Sequence, residues 1–196
     1  MEVTSHIKDL YEQTLIIPEK KGDHQFLLCA IGLIGAGKTT VLKPLCEKLG
    51  VVRMCTDDIR KLLKENGFGY DTAQEINVTL VRKYLGLGYS VAIDGDSIRE
   101  ESQKLIEETR VLYGVKVVWI HINPPEAFIV NKLTNFKHSW LFRDAEHALS
   151  NYYNRKPLHE HLSMPFLYTF DTSKSNLADQ IEEASQIIEQ YVQSEK

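Results

Sequence analysis

The chain has 196 residues, of which 43% are hydrophobic and 26% charged, an ordinary balance for a globular protein. This length suits one domain, and we expect residues 1–196 to form it. The net charge of −4 argues against a general affinity for nucleic-acid backbones. No apolar run approaches 18 residues and no signal-peptide core begins the chain, so we expect a cytoplasmic protein without a membrane span.

The first segment, residues 1–24, is predicted to be a helical extension. Ile7, Leu10, Tyr11 and Leu15 recur at helical spacing, which predicts one amphipathic helix. No residue pattern in this segment indicates chemistry, so we expect it to serve in packing.

The next segment carries the most informative motif of the chain. An apolar run at 26–31 predicts a buried strand. The next eight residues, 32–39, read Gly-Leu-Ile-Gly-Ala-Gly-Lys-Thr, which matches the phosphate-binding pattern G-x-x-x-x-G-K-[ST]. Glycines let backbone N–H groups approach phosphate oxygens, the lysine places an ammonium on the β- and γ-phosphates, and the following helix points its positive end at the same anion. We therefore predict that a nucleoside triphosphate is bound by Gly32, Gly35, Ala36, Gly37, Lys38, Thr39 and Thr40.

A second strand is predicted at 51–55, and polar residues follow its end. Residues 56–60 read Thr-Asp-Asp-Ile-Arg. Open α/β sheets bind ligands at the carboxyl ends of their strands, where a carboxylate can accept a proton from a hydroxyl or hold Mg²⁺ through water. Arg60 can clamp an anionic group of an acceptor. The alternative is an ordinary helix start that Thr56 or Asp57 caps, and the residues alone leave both interpretations open.

A third strand, residues 89–94, ends in Asp94. An aspartate at a strand end beside a phosphate loop orders Mg²⁺ and its waters. We therefore predict a Mg²⁺ site at Thr39 and Asp94. Asp96 and Ser97 come next, and they either cap the following helix or face the acceptor.

The rest of the chain continues the alternation of strands and helices, with one change of character. Residues 115–122 and 164–170 predict two more strands, and 177–192 predicts a closing amphipathic helix. Residues 126–162 are rich in aromatic and charged side chains. The turn at 171–173 can cap the last helix.

Together these motifs resemble the small phosphate-loop kinases, in the branch that includes polynucleotide 5′-hydroxyl kinase, chloramphenicol phosphotransferase and zeta-toxin-like kinases. The matching residues are 32–39, 56–60, 91–94 and, more weakly, 171–173. In the kinases that the chain resembles, the turn at this last position lies near the adenine instead of serving as a cap. In polynucleotide kinases the second element is also an aspartate pair followed two residues later by an arginine. The resemblance therefore implies that Asp57 is the general base, that Arg60 contacts the acceptor, and that ATP and Mg²⁺ are the cofactors.

The resemblance also implies a role for the segment at 126–162. In the resembled family this segment is a lid whose arginines close over the nucleotide and neutralise charge on the transferred phosphoryl group. The usual arginine of the first lid helix is missing here, because residues 131–137 read Asn-Lys-Leu-Thr-Asn-Phe-Lys. Arg143 and Arg155 are the remaining candidates, and we predict Arg143 as the catalytic one.

Strands alternating with helices predict a three-layer α/β sandwich with a five-stranded, mostly parallel sheet, and the resemblance implies a nucleoside-kinase-like core with a helical lid. The predicted function is transfer of the γ-phosphoryl group of ATP to a hydroxyl of a small molecule. Two alternatives stay open. The first alternative is a polynucleotide 5′-hydroxyl kinase, because the aromatic and basic residues of the segment at 126–162 could contact nucleic-acid bases. The second is a nucleotide-binding switch with weak or no kinase activity, which the small number of arginines in that segment allows.

Overall fold

The computed structural model describes residues 2–137 and 142–194, so residues 138–141 of the predicted lid segment lie outside the described residues. The strands within this part are β1 (Phe26–Ile31), β2 (Val52–Cys55), β3 (Val91–Asp94), β4 (Lys116–Ile122) and β5 (Phe166–Phe170). The helices are α1 (Glu2–Glu12), α2 (Lys38–Leu49), α3 (Thr56–Glu65), α4 (Ala73–Gly86), α5 (Glu100–Tyr113), α6 (Glu126–Thr134), α7 (Ala145–Arg155) and α8 (Leu177–Gln193), with a short 3-10 helix (Lys156–His159) after α7.

The five strands form one sheet in the order β2-β3-β1-β4-β5, and every pair is parallel. The predicted α/β fold with a five-stranded parallel sheet is confirmed. Its centre is β1, whose six residues are all buried. A strand that is covered on both faces can be apolar at every position, which explains why its sequence is a continuous hydrophobic run.

Helices cover both faces of the sheet and make three layers. On one face, Leu28 and Ala30 of β1 pack in a cluster with residues of α2, α6, α7 and α8. On the other face, Leu27 and Cys29 pack with residues of α1, α3, α4 and α5. Residues that alternate along a strand point to opposite faces, so β1 contributes to both clusters.

This arrangement fixes where a ligand can bind. The neighbouring strands β1 and β3 are followed by helices on opposite faces of the sheet, because α2 belongs to the first cluster and α5 to the second. A crevice opens at the carboxyl ends of two such strands. The loop at 32–37 follows β1, and Asp94 ends β3, so both lie at this crevice.

All three cysteines are buried and free of disulfides. Burial raises the pKa of the Cys46 and Cys55 thiols to about 12, which keeps them protonated. Among the described residues, no helix combines the length and the apolar character needed to cross a bilayer.

Helix α1 is joined to the second layer by both apolar and polar contacts. Ile7 and Tyr11 are buried in the cluster that contains α3 and α4. The backbone N–H of Cys55, the last residue of β2, donates a hydrogen bond of 2.7 Å to the Tyr11 hydroxyl oxygen. Glu12 accepts hydrogen bonds from Lys83 and Tyr84 on α4. Helix α1 therefore supports the end of the strand that leads into residues 56–60.

Replacing Tyr11 by phenylalanine is expected to lower the free energy of unfolding by about 1–3 kcal/mol, because the buried N–H of Cys55 loses its acceptor. Denaturation in urea measures this loss. The control is Tyr70→Phe at an exposed tyrosine, for which we expect a change of less than about 0.5 kcal/mol. Equal stability of the Tyr11 variant and the wild type would contradict the structural role of this bond.

Candidate active site

The loop between β1 and α2 has the backbone shape that its glycines permit. Gly37 precedes α2 with φ of 98°, a left-handed conformation that side chains disfavour. Gly32 is required for another reason, because a Cβ at this position would lie 2.7 Å from the carbonyl oxygen of Ile122. Thr172 closes the loop from the other side by donating a hydrogen bond of 2.6 Å to the carbonyl of Ala36. The turn at 171–173 thus contacts the loop directly.

Lys38, the first residue of α2, folds back over this loop. Its ammonium donates hydrogen bonds to the carbonyls of Gly32 at 2.5 Å and Leu33 at 3.2 Å. An ammonium has three donors, so one remains for an anion bound in the loop. Burial lowers the pKa of Lys38, while the nearby carboxylates of Asp96, Asp94 and Asp57 oppose that shift. The predicted triphosphate ligand Thr40 lies beside these residues in the first turn of α2.

The two predicted Mg²⁺ ligands are in contact. The Thr39 hydroxyl donates to Oδ2 of Asp94 at 3.1 Å. The same carboxylate oxygen accepts a bond of 2.5 Å from Nη1 of Arg53, and Nη2 of Arg53 binds Asp58 at 2.8 Å. A hydroxyl and a carboxylate are hard oxygen donors of the kind that Mg²⁺ prefers, and Mg²⁺ usually takes few protein ligands beside phosphate oxygens and water. The residues present therefore fit the ion.

Arg53 is a site residue that the sequence interpretation missed. Its side chain is 18% exposed and that of Asp94 is 4% exposed, so the two charges meet largely away from water. The signal in the sequence was a charged residue inside the apolar run of β2. A buried arginine needs a carboxylate partner, and β3 provides it on the neighbouring strand.

Asp57 lies in the first turn of α3, and Arg60 follows one turn later. Nη1 of Arg60 binds Oδ1 of Asp57 at 2.8 Å, and both side chains are nearly half exposed. Helix α3 begins after Cys55 without a side-chain cap from the described residues. The side chain of Asp57 therefore does not cap α3, and its carboxylate is exposed at the crevice.

Asp96 belongs to a second charged group on the opposite side of Lys38. Its Oδ2 accepts a bond of 2.6 Å from Nη1 of Arg155, and its Oδ1 lies 3.7 Å from Nε2 of His159. Burial alone would raise the pKa of Asp96, but His159, Lys38 and Arg155 around it hold that pKa below its usual value. Helix α5 starts after Arg99 without a side-chain cap from the described residues, so Asp96 does not cap it.

The predicted lid segment forms α6, α7 and the 3-10 helix. Lys132 of α6 donates to the carbonyl of Gly35 at 3.2 Å, so a lysine of this helix contacts the loop. Arg143 lies just before α7, which Asp144 caps, and its backbone N–H donates to His147. The arginine of this segment that lies near Lys38 is Arg155, at the end of α7. The assignment of Arg143 as a catalytic residue stays a prediction.

Comparisons with known proteins agree with this architecture. A comparison with curated proteins finds no match. Among solved structures, a gluconokinase from Sinorhizobium meliloti 1021 is 12% identical with a TM-score of 0.58, and the match covers 88% of this chain and 95% of that one. The APS kinase CysC of Mycobacterium tuberculosis, in complex with AMPPNP and APS, is 16% identical with a TM-score of 0.55 over 86% and 99% of the two chains. Shikimate kinase of Acinetobacter baumannii, in complex with shikimate, is 17% identical with a TM-score of 0.54 over 87% and 96%.

At these identities the likeness establishes the fold, which is the P-loop fold of small kinases. The sequence identifies the family. The family model AAA_33, described as an AAA domain, matches residues 27–135, which is more than half of the chain. The protein therefore belongs to the AAA_33 family of AAA domains.

Proposed function

We propose that the protein is an ATP- and Mg²⁺-dependent phosphotransferase that moves the γ-phosphoryl group of ATP to a hydroxyl of a small molecule. The observation that carries the proposal is the position of Lys38. Its ammonium donates hydrogen bonds to two carbonyls of the loop and lies near the carboxylates of Asp57, Asp94 and Asp96. A triphosphate in the loop would bring its terminal phosphate to this ammonium. A hydroxyl that approaches between the carboxylates would then face the phosphorus atom.

In the proposed reaction the acceptor oxygen forms a bond to the γ-phosphorus, the bond from that phosphorus to the β–γ bridging oxygen breaks, and ADP leaves. Asp57 takes the proton of the acceptor hydroxyl, and Arg60 holds the acceptor beside it. Thr39 and Asp94 would hold Mg²⁺, which would offset the negative charge of the phosphate oxygens. The backbone N–H groups at Gly35, Ala36 and Gly37 and the start of α2 would bind the phosphates, the N–H of Ala36 in place of its present 3.1 Å hydrogen bond to the Leu33 carbonyl.

The same proposal includes the finer family assignment and the lid. We place the chain in the branch with polynucleotide kinase, chloramphenicol phosphotransferase and zeta-toxin-like kinases, because Asp57, Asp58 and Arg60 keep the spacing seen in polynucleotide kinases and lie at the crevice. Residues 126–162 would act as the lid of a single kinase domain. The contacts of Lys132 with Gly35 and of Arg155 with Asp96 support this, since both join the segment to the phosphate loop region.

Consumption of ATP over a panel of acceptors tests the function. The panel contains nucleosides, sugars, antibiotics and 5′-hydroxyl oligonucleotides, and the matched variant is Asp57→Asn. We expect turnover with a small-molecule hydroxyl, and a loss of about 10²–10⁴-fold in the variant, which retains the size of the side chain but cannot accept the proton. Steeply salt-dependent turnover on oligonucleotides would instead favour the polynucleotide kinase. Tight ATP binding without turnover on any acceptor would favour the nucleotide-binding switch.

A further inference from the structure

Asp96 occupies an unusual place beside the phosphate loop. Its carboxylate is mostly shielded, with the side chain 18% exposed, and it lies among three basic groups: Lys38, Arg155 and His159. Arg155 and His159 come from the lid segment, whereas Asp96 follows β3 in the core. Without Asp96, this corner would be an anion-binding site made of a lysine, an arginine and a histidine. With Asp96, the protein supplies the anion itself.

Two further arginines at the crevice are also matched by carboxylates. Arg60 pairs with Asp57 at 2.8 Å, and Arg53 pairs with both Asp94 and Asp58. A guanidinium whose charge is already balanced gains little from a second carboxylate, because that carboxylate must displace the first. The charge pattern at Arg53, Arg60 and Arg155 therefore disfavours an acceptor that brings its own carboxylate or phosphate to these residues.

Buried polar atoms without a hydrogen-bond partner among the described residues lie in the same place. The side chain of His159 is 6% exposed, and neither of its ring nitrogens has a hydrogen-bond partner among the described residues. Oδ1 of Asp96 is likewise buried without a partner from the described part of the chain. Oδ1 of Asp96 and Nε2 of His159 lie 3.7 Å apart and face each other as an ion pair, so Nδ1 of His159 is the atom that is left for a further polar group. A hydroxyl is one group that can form a hydrogen bond with this nitrogen.

His159 also lines a pocket of about 210 Å³, to which Lys156, the residue after Arg155, contributes and Asp96 does not. Leu33 of the phosphate loop, His121, Asn123, Tyr152 and Lys156 contribute to its wall. Burial lowers the pKa of His121, and Lys156 is paired with Glu126 at 2.8 Å, so these two residues bring no uncompensated positive charge. Pockets for drug-sized ligands are about 300–1,000 Å³, which means that this one fits a smaller molecule.

From these observations we propose that the acceptor is an uncharged small molecule with several hydroxyl groups, and that Asp96 determines this specificity by balancing the charge of Arg155 beside the pocket. The inference rests on the proposed phosphotransferase function and adds the chemical class of its substrate. Asp96 acts here as a specificity residue, while Asp57 remains the proton acceptor.

Pairs of acceptors that differ at one group, which is neutral in one member and a carboxylate in the other, test the proposal. Each acceptor that supports turnover is compared with a counterpart that carries a carboxylate in place of a hydroxymethyl group. Two pairs are always included: sorbitol with gluconate, and the ester methyl shikimate with shikimate. We expect the wild type to have the higher kcat/KM for the uncharged member. In Asp96→Asn the guanidinium of Arg155 is released, so the preference should shift toward the carboxylate by about tenfold or more.

Two controls separate specificity from folding. Glu107→Gln removes the carboxylate partner of Arg110 on the exposed face of α5, and we expect it to leave the preference unchanged. Asp96→Asn combined with Arg155→Gln removes the released charge, and we expect it to restore the wild-type ratio. If Asp96→Asn does not fold, Arg155→Gln alone tests the charge balance: it leaves the carboxylate of Asp96 without this partner, so we expect a stronger preference for the uncharged member, and a shift toward the carboxylate member would overturn the inference.

The outcomes distinguish this inference from the function on which it rests. Wild-type turnover that favours the carboxylate member, or an unchanged ratio in a folded Asp96→Asn variant, overturns the inference and leaves the phosphotransferase function intact. ATP binding without turnover on any acceptor overturns both. A preference for the uncharged member that is reduced or reversed in Asp96→Asn supports the inference.

Discussion

Replacing Lys38 by methionine is expected to reduce phosphotransfer by at least about 10³-fold while the fold is retained. The side chain of Lys38 is the ammonium nearest to the place where the terminal phosphate would lie, and its two carbonyl contacts leave one donor for that phosphate. Removal of a single donor that stabilises transition-state charge typically costs about 10²–10³-fold, and here a full charge is lost as well.

The stability of this variant gives a second, independent expectation. The pKa of Lys38 is lowered in the folded protein, which means that the ammonium is less stable there than in the unfolded chain. The protonated lysine therefore lowers the free energy of unfolding at neutral pH, and this cost would disappear only as the pH rises through the folded-state pKa. Methionine at position 38 removes this cost but leaves the carbonyls of Gly32 and Leu33 without their donor, so the two effects oppose each other and Lys38→Met should unfold close to the wild-type temperature.

Thermal unfolding with and without ATP and Mg²⁺ measures both effects. The wild type should be stabilised by the nucleotide, in proportion to the logarithm of its concentration, and Lys38→Met should lose most of that stabilisation. Lys43→Met is the matched control, because this lysine lies on the exposed face of the same helix. Full activity in a folded Lys38→Met variant would refute the proposed function, whereas reduced activity caused by unfolding would appear as a lower transition temperature.

The sequence predicted the phosphate loop and its strand–loop–helix setting because those features are local. The loop needs glycines at fixed positions, and the neighbouring Phe26–Ile31 run needs only to be apolar. The placement of Asp94 beside Thr39 also followed, since parallel strands end at the same edge of a sheet. These inferences require knowledge of which elements form, but little knowledge of how they pack.

The charged groups around the loop could not be predicted in the same way. Arg53 and Asp94 are 41 residues apart, and Arg155 and Asp96 are 59 apart. Their pairing depends on the order of the strands and on where the end of α7 meets the core. The sequence interpretation therefore considered Asp96 as a helix cap or an acceptor contact, and it did not identify Arg53 or His159.

The Arg53–Asp94 pair leads to the second large expected effect. Replacing Asp94 by asparagine should lower kcat by about 10²–10³-fold, because the carboxylate that would help to hold Mg²⁺ is lost. The same change should lower the free energy of unfolding by about 3 kcal/mol, because it leaves the mostly buried guanidinium of Arg53 with only the half-exposed Asp58 as a charged partner. Activity and stability therefore fall together in this variant, for two different reasons.

A double-mutant cycle separates the two causes. Replacing Arg53 by methionine in the Asp94→Asn background removes the unpaired charge, so most of the lost stability should return, whereas activity should remain low. Urea denaturation and initial rates at several Mg²⁺ concentrations measure the two quantities. Recovery of activity together with stability would mean that Asp94 acts only by balancing Arg53, and it would remove Asp94 from the proposed Mg²⁺ site. A double variant that is stable and inactive would leave the carboxylate with both roles, since each role is then lost by a different substitution.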